Sequence, residues 1–345
     1  MKQPKLLAIF LVVFSVMLSS FAFYTFQIVY SANINAQAEL PRSITIPTGA
    51  TFKDVQNKLY DERYVNDLVS FSFLAKLMKY HESVKPGLYL LQPDMSSIDA
   101  IRLLRSGNQT PVNVTFNSIR LLEELPGKIT KNLEISESDF SELLNNDSIQ
   151  SAFGFDSLNF IGMFVPNTYQ LFWDTKPEAL LKRMKSEYDK FWNSERKAKA
   201  ESLGLNIQET VTLASIVQSE TAKADEKPRV SGVYINRLKR GIPLQADPTL
   251  IFATKDFTIK RVLNIHKRID SPYNTYKYNG LPPGPIRMAS ASSIDAVLNY
   301  EKHKYIYFCA KEDFSGYHNF ATNLIAHNKN AEKYQRALNK AGLYR

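Results

Sequence analysis

No charged residue occurs between Leu6 and Ala38, and the first 25 of those positions, Leu6 to Tyr30, are rich in Leu, Val, Ile and Phe. A run of that length can cross a bilayer core of ~30 Å as one helix. Ala36-Gln-Ala38 offers an alternative, the small-residue site of a cleavable signal peptide. The apolar run is longer than the roughly 7–15 residues usual for such a peptide, so an uncleaved anchor is the preferred reading. Lys2 and Lys5 precede the run. By the positive-inside rule, residues 1–5 stay cytoplasmic, residues 6–30 form a single-pass anchor in the inner (cytoplasmic) membrane, and the rest is periplasmic or extracytoplasmic.

The 345 residues are 44% hydrophobic and 22% charged, which leaves room for two or three globular domains behind the anchor. The formal charge of +9 has to be read by its distribution. Lys182, Arg183, Lys185, Lys190, Arg196, Lys197 and Lys199 alternate with Glu178, Glu187, Asp189, Glu195 and Glu201, as on a solvated helical face. Nucleic acid is therefore a poor fit as a partner, whereas an anionic polymer or membrane surface suits the mild positive balance. Cys309 is the sole cysteine, which excludes an intrachain disulfide; the stretch 305–310 reads as a buried strand. The five histidines lack the spacing of a metal site, so no metal and no cofactor is expected.

Candidate chemistry concentrates between Asn206 and Gly241. Asn206 with Glu209 three residues on predicts a capped helix start. Leu213, Ile216, Val217 and Glu220 recur at three- and four-residue spacing and share a face, so Glu220 ends an apolar stripe. A carboxyl held against such a face is desolvated and stays protonated near neutral pH, as a general acid must. Periodicity alone favours the blander reading, a Glu at a fraying helix end that points to water. Val230, Val233, Tyr234 and Leu238 give a second helix its apolar face, with Gly241 as its C-terminal cap.

Three polar loops follow. Residues 242–249 read as a turn-rich loop carrying Gln245, Asp247 and Thr249. Residues 271–276 carry Tyr273, Asn274, Thr275 and Tyr276, and Gly280-Leu-Pro-Pro-Gly-Pro-Ile286 forms the last. Pro and Gly fix unusual backbone shapes, and Tyr, Asn, Thr and Gln are the residue types expected to stack on and hydrogen-bond to sugars.

The run Leu213-Ala-Ser-Ile-Val-Gln-Ser-Glu220-Thr221, with Val233-Tyr-Ile-Asn-Arg-Leu238, Leu244-Gln-Ala-Asp-Pro-Thr249, Ser271-Pro-Tyr-Asn-Thr-Tyr276 and the 280–286 loop, closely resembles the YceG-like endolytic murein transglycosylases. The resemblance extends through Gly162-Met-Phe-Val-Pro-Asn167-Thr-Tyr169 and His318-Asn-Phe320 to His327, covering most of the chain after about Ser43. It implies that Glu220 is the catalytic acid/base and that Asn167, Tyr169 and His318 join the loop residues in binding glycan. It also implies peptidoglycan glycan strands as substrate, a part in ending strand elongation, and a partnership with peptidoglycan synthases of the wall-elongation machinery. Asn117-Ser118, Ile161-Gly162 and Arg287-Met-Ala-Ser290 depart from the family, whose common residues there are Glu-Gly, Glu-Gly and Asn-Pro-Gly.

The fold class expected is α+β. A linker over 31–42 leads into residues 43–110, where a strand, two helices and a returning strand resemble the LysM-like subdomain of the family, capable either of aligning glycan or only of spacing the site from the membrane. A mixed catalytic domain is expected over 111–345. The resemblance implies an intramolecular reaction: one carboxyl suffices when the attacking group is the C6 hydroxyl of the same N-acetylmuramic acid, whereas a water-using glycosidase generally needs two. Asp247 is the only other carboxylate considered, as a participant or as an orderer of its loop. A muramidase-type hydrolase and a non-catalytic, membrane-tethered wall-binding protein remain the competing readings.

Overall fold

The computed structural model describes residues 3–34, 40–117, 119–259 and 261–342; Lys2, the Ala36-Gln-Ala38 site and Ser118 lie outside them. The architecture is mixed α+β, with three two-stranded sheets among the described residues. In chain order the elements are α1 (Gln3–Tyr30), β1 (Arg42–Ile46), α2 (Phe52–Asp61), α3 (Leu68–Leu77), β2 (Gly87–Leu91), α4 (Ser97–Ser106), β3 (Val112–Phe116), α5 (Leu125–Ile129), α6 (Glu137–Leu144), α7 (Asp147–Ala152), β4 (Asn167–Leu171) and α8 (Pro177–Phe191). Then follow α9 (Ser194–Ser202), α10 (Ile207–Glu220), α11 (Lys227–Lys239), α12 (Asp247–Thr254), α13 (Ala291–Leu298), β5 (Tyr307–Ala310), β6 (His318–Ala321) and α14 (Leu324–Lys340). They fall into two compact units, one of Met1–Val114, Asn132–Ile135 and Tyr169–Thr175, the other of Thr115–Lys131, Ser136–Thr168 and Lys176–Arg345.

In the first unit α1 is long and apolar enough to cross a membrane, and no part of its Lys5–Tyr30 span is buried. Beyond it, β1 and β2 pair antiparallel, with Ile44 opposite Tyr89, and α2 and α3 lie between them in sequence. Alternation along the strands sends Ile44, Ile46, Tyr89 and Leu91 into a core shared with Leu59 and Phe71. Local chemistry fixes the helix ends. Thr51 and Asp54 form a reciprocal capping box, Asp67 caps α3, Ser96 caps α4, and Gly107 ends α4 at φ +74°.

The second unit is built around α10. Asn206 and Glu209 cap its start reciprocally, as the sequence predicts. The expected single apolar stripe is too narrow a description, because every residue from Thr210 to Val217 is buried, including Thr212 and Ser215. A helix covered on all faces is a central one. Its polar residues hold neighbouring segments: Ser215 Oγ accepts the Ile286 amide (3.0 Å), and Gln218 Oε1 accepts the Ser290 amide (2.7 Å). α11, α12 and α13 pack around it.

Two local expectations need correction. Residues 247–254 form α12 where a loop is expected over 242–249, because Pro248 in the first turn has its φ preset for a helix and needs no amide partner there. The strand around Cys309 is confined to Tyr307–Ala310 and is half-buried, and β6 is its one strand partner among the described residues.

Candidate active site

Glu220 is the last residue of α10, so its side chain leaves the buried helix where the backbone turns away at Thr221. Its Oε1 accepts a hydrogen bond from the Tyr234 hydroxyl at 2.5 Å. Tyr234 is itself 1% exposed and packs edge-on against Phe308 from β5. By surface area Glu220 is half-buried; its carboxyl nevertheless lies deep enough among protein atoms for desolvation to dominate, and the surface it keeps faces a cleft. Burial pushes its pKa up to about 7, the Tyr234 hydrogen bond pulls it down, and the nearby Asp247 charge raises it. A carboxylic acid in this position holds a proton near neutrality and can release it to a group entering the cleft.

The cleft encloses about 450 Å³, and Glu220, Tyr234, Arg237, Asp247, Tyr276 and His327 are among its lining residues. Arg237, 6% exposed, holds the wall together, donating to Pro243 O (2.9 Å), Ile306 O (2.8 Å) and Gln245 Oε1 (2.5 Å). Burial lowers its pKa. Asp247, in the first turn of α12, accepts the Tyr276 hydroxyl at 2.5 Å. Lys267 lies over the Tyr276 ring at 4.9 Å. Across the cleft His327 stacks on Tyr307 at 5.2 Å; burial first, and the Arg237 charge second, depress its pKa. Its Nδ1 is buried with no hydrogen-bond partner among the described residues.

Of the residues singled out from sequence, Glu220, Gln245, Asp247 and Tyr276 line this cleft. Thr249, Asn274 and Thr275 are 0–2% exposed and are engaged within the loops themselves. Asn274 donates to Lys267 O and Ile269 O and accepts from the amides of Tyr276 and Lys277. Thr275 Oγ1 accepts the Ala246 amide (3.0 Å) and meets Thr249 Oγ1 (2.8 Å), locking the 271–278 loop to the start of α12. Tyr273 is buried against Phe252, with ring centroids 4.7 Å apart. These four position the cleft rather than line it.

His318 is also outside the lining. Its ring packs edge-on to Phe308 at 5.2 Å, and both its Nδ1 and its backbone amide pair with the buried Glu226. Asn167, exposed at the start of β4, accepts the amide of Thr168, and Tyr169, 5% exposed, belongs to the first unit. A larger cavity of about 630 Å³ opens between the start of α10 and residues 280–283, but the only carboxylate in its lining is Glu209, which is occupied in capping α10.

Tyr234, Arg237, Lys267, Tyr307 and His327 also line the cleft, and the sequence reading gave none of them a site role. A signal existed for Tyr234 and Arg237, which recur at helical spacing within Val233-Tyr-Ile-Asn-Arg-Leu238.

A mixed α+β fold whose central helix delivers one buried, proton-bearing carboxyl to an aromatic, cationic cleft defines the class. The chain belongs to the YceG-like family, whose model matches residues 44–333. It is 28% identical over 364 residues to the endolytic murein transglycosylase of Streptococcus pneumoniae serotype 2 (strain D39), covering 96% of this chain and 65% of that protein. It is 29% identical over 314 residues to the endolytic murein transglycosylase of Bacillus subtilis (strain 168), covering 85% of this chain and 84% of that one. The chain thus spans about two-thirds of the length of the pneumococcal relative. A crystal structure of a YceG-like protein from Listeria monocytogenes superposes with a TM-score of 0.56 at 25% identity, covering 85% of this chain and 99% of that one.

Proposed function

We propose that the chain is a membrane-anchored endolytic lytic transglycosylase that cleaves the bond between N-acetylmuramic acid and N-acetylglucosamine within peptidoglycan strands. The observation that carries this reading is the Glu220 carboxyl, raised to about 7 by burial and open to the cleft. The names of the pneumococcal and Bacillus relatives support it. Glu220 gives its proton to O4 of the departing N-acetylglucosamine as the bond to C1 breaks. The resulting carboxylate accepts the proton of the C6 hydroxyl, whose oxygen closes on C1 to leave a 1,6-anhydro end. Intramolecular attack needs no second reactant to be captured and ordered, which is a large entropic advantage. Arg237 and Lys267 give the cleft cationic character, suited to the carboxylates of lactyl groups and stem peptides.

Gln245, Asp247 and Tyr276 contact glycan directly in this reading, while Tyr273, Asn274, Thr275 and Thr249 hold those contacts in place. Asn167, Tyr169 and His318, which are not among the residues lining this cleft, complete the glycan-binding set in this reading. α1 is the single-pass anchor in the inner membrane, with its N-terminus cytoplasmic and the cleft extracytoplasmic; N-terminal sequencing that found a mature start near Asn33 or Glu39 would overturn this. The β1-α2-α3-β2 arrangement is a LysM-like module that aligns the strand, and the enzyme ends nascent strands beside peptidoglycan synthases of the elongation machinery. Mass spectrometry of digested glycan tests the reaction. Anhydro ends are expected; free reducing ends would mean a hydrolase that uses water with Asp247 as second carboxylate, and no cleavage would mean a wall-binding protein.

A further inference from the structure

α3 is apolar on both sides. Phe71, Leu74 and Ala75 are buried in the core of the first unit, as a packed helix requires. The opposite side carries Val69, Phe73 and Leu77 at four-residue spacing, and these are 81%, 66% and 70% exposed. They form one stripe along a helix of 10 residues, or about 15 Å. A surface helix ordinarily presents polar residues there, and contiguous bare apolar groups mark an interaction surface.

The connection to α1 points to what covers it. α1 ends at Tyr30, and the chain is sewn into the domain three residues later. Asn33, 7% exposed, donates from Nδ2 to Asp67 O (2.9 Å) and Ser97 Oγ (2.8 Å), and its Oδ1 accepts the Asp67 amide (2.7 Å). Its backbone carbonyl accepts the Asn66 amide (2.8 Å), and its own amide bonds to Met95 O (3.1 Å). Asp67 is the N-cap of α3. Three residues reach at most about 10 Å, so Asn33, bonded to the N-cap of α3, is held no farther than that from the end of the apolar span, close to a headgroup layer of roughly 5–8 Å. Lys76 and Lys79 are exposed at the other end of the helix, placed for anionic headgroups.

We propose that the Val69–Phe73–Leu77 face of α3 lies in the headgroup–acyl boundary of the membrane that α1 spans, so that the first unit is seated on the bilayer and not merely tethered to it. The inference rests on the reading of α1 as a membrane anchor. Seating would remove the swivel of a free tether and hold the first unit against the outer leaflet.

The test uses the full chain reconstituted into vesicles of phosphatidylethanolamine and phosphatidylglycerol whose acyl chains are brominated near the headgroup. Phe73→Trp and Tyr24→Trp variants are compared with the unaltered chain, in which Trp173 and Trp192 set the baseline. Both sites are exposed, so either indole fits without repacking. The expected result is quenching at least twofold above baseline for both variants. If Tyr24→Trp is quenched and Phe73→Trp stays at baseline, the anchor stands and the seating is overturned; another protein surface would then cover the stripe. If neither is quenched, the anchor reading fails and the seating with it.

Discussion

Tyr234 donates its hydroxyl to Glu220 Oε1 at 2.5 Å from the middle of the next helix, and Asp247 supplies the opposing influence from the start of α12. Burial sets the scale of the Glu220 shift, the hydrogen bond offsets part of it, and the Asp247 charge adds to it. The acid is thus balanced by two groups whose removal should have opposite effects.

Activity that needs protonated Glu220 falls as pH rises through about 7. Tyr234→Phe removes a bond that favours the charged form, so the alkaline limb of the kcat/KM profile should move to higher pH. Asp247→Asn removes a charge that disfavours it, so the limb should move to lower pH while activity persists. Abolition of activity by Asp247→Asn would make Asp247 a participant, and movement of both limbs in one direction would refute the balance.

The same shift has a stability consequence. Glu220 has a folded pKa of about 7 against an ordinary 4.5, so it is protonated in both states below 4.5 and carries its full burial penalty above 7. Glu220→Gln should therefore be more stable than the unaltered chain at about pH 8, by at most about 3 kcal/mol, with the gap closing as pH falls toward about 4. Denaturant midpoints of the full chain across that range read the difference; a gap independent of pH would contradict it.

Loop residues should separate into two kinds. Asn274→Ala strips four hydrogen bonds from a buried position and leaves backbone groups unpaired, at a cost of about 1–3 kcal/mol and a lower Tm. Gln245→Ala, at an exposed position on the cleft, loses one side-chain bond, that from Arg237, and should reduce glycan binding with a Tm loss clearly smaller than that of Asn274→Ala. Thermal melts paired with glycan pull-down distinguish them, and equal Tm losses would deny Gln245 a contact role.

Gly284 sits where any side chain is excluded, since a Cβ there would lie 2.1 Å from the Leu158 carbonyl oxygen. Backbone cannot yield to that overlap. Gly284→Ala should displace the 282–286 loop and lower Tm at least as far as Asn274→Ala; an unchanged melt would show that the loop is free to shift.

Much of this was readable from local signals. Asn206 with Glu209, Thr51 with Asp54 and Gly107 each act within a few residues, so spacing alone identifies them. The burial of Glu220 needed α10 to be covered on every side, which no single helix reveals, and a one-sided stripe understates it. Tyr234 read as one more apolar position because its ring is buried and only its hydroxyl is functional. Arg237 and His327 reach the cleft through tertiary folding of α11 and α14 against β5. Asn274, Thr275 and Thr249 are polar because the loops need internal partners, and composition cannot distinguish that demand from a ligand's. Pro248 read as a turn although it opens α12, since its preset φ serves both.

The most direct measurement is mass spectrometry of glycan fragments released by purified full-length protein and by its Glu220→Gln variant. An amide can neither donate the proton to O4 nor accept one from the C6 hydroxyl, and acid–base catalysis contributes roughly 10²–10⁴-fold. The account predicts anhydro-ended fragments from the unaltered chain and their loss by at least about a hundredfold in Glu220→Gln, with folding and glycan binding intact. Anhydro-ended fragments released by Glu220→Gln at close to the unaltered rate would contradict it and move the search for the acid to Asp247.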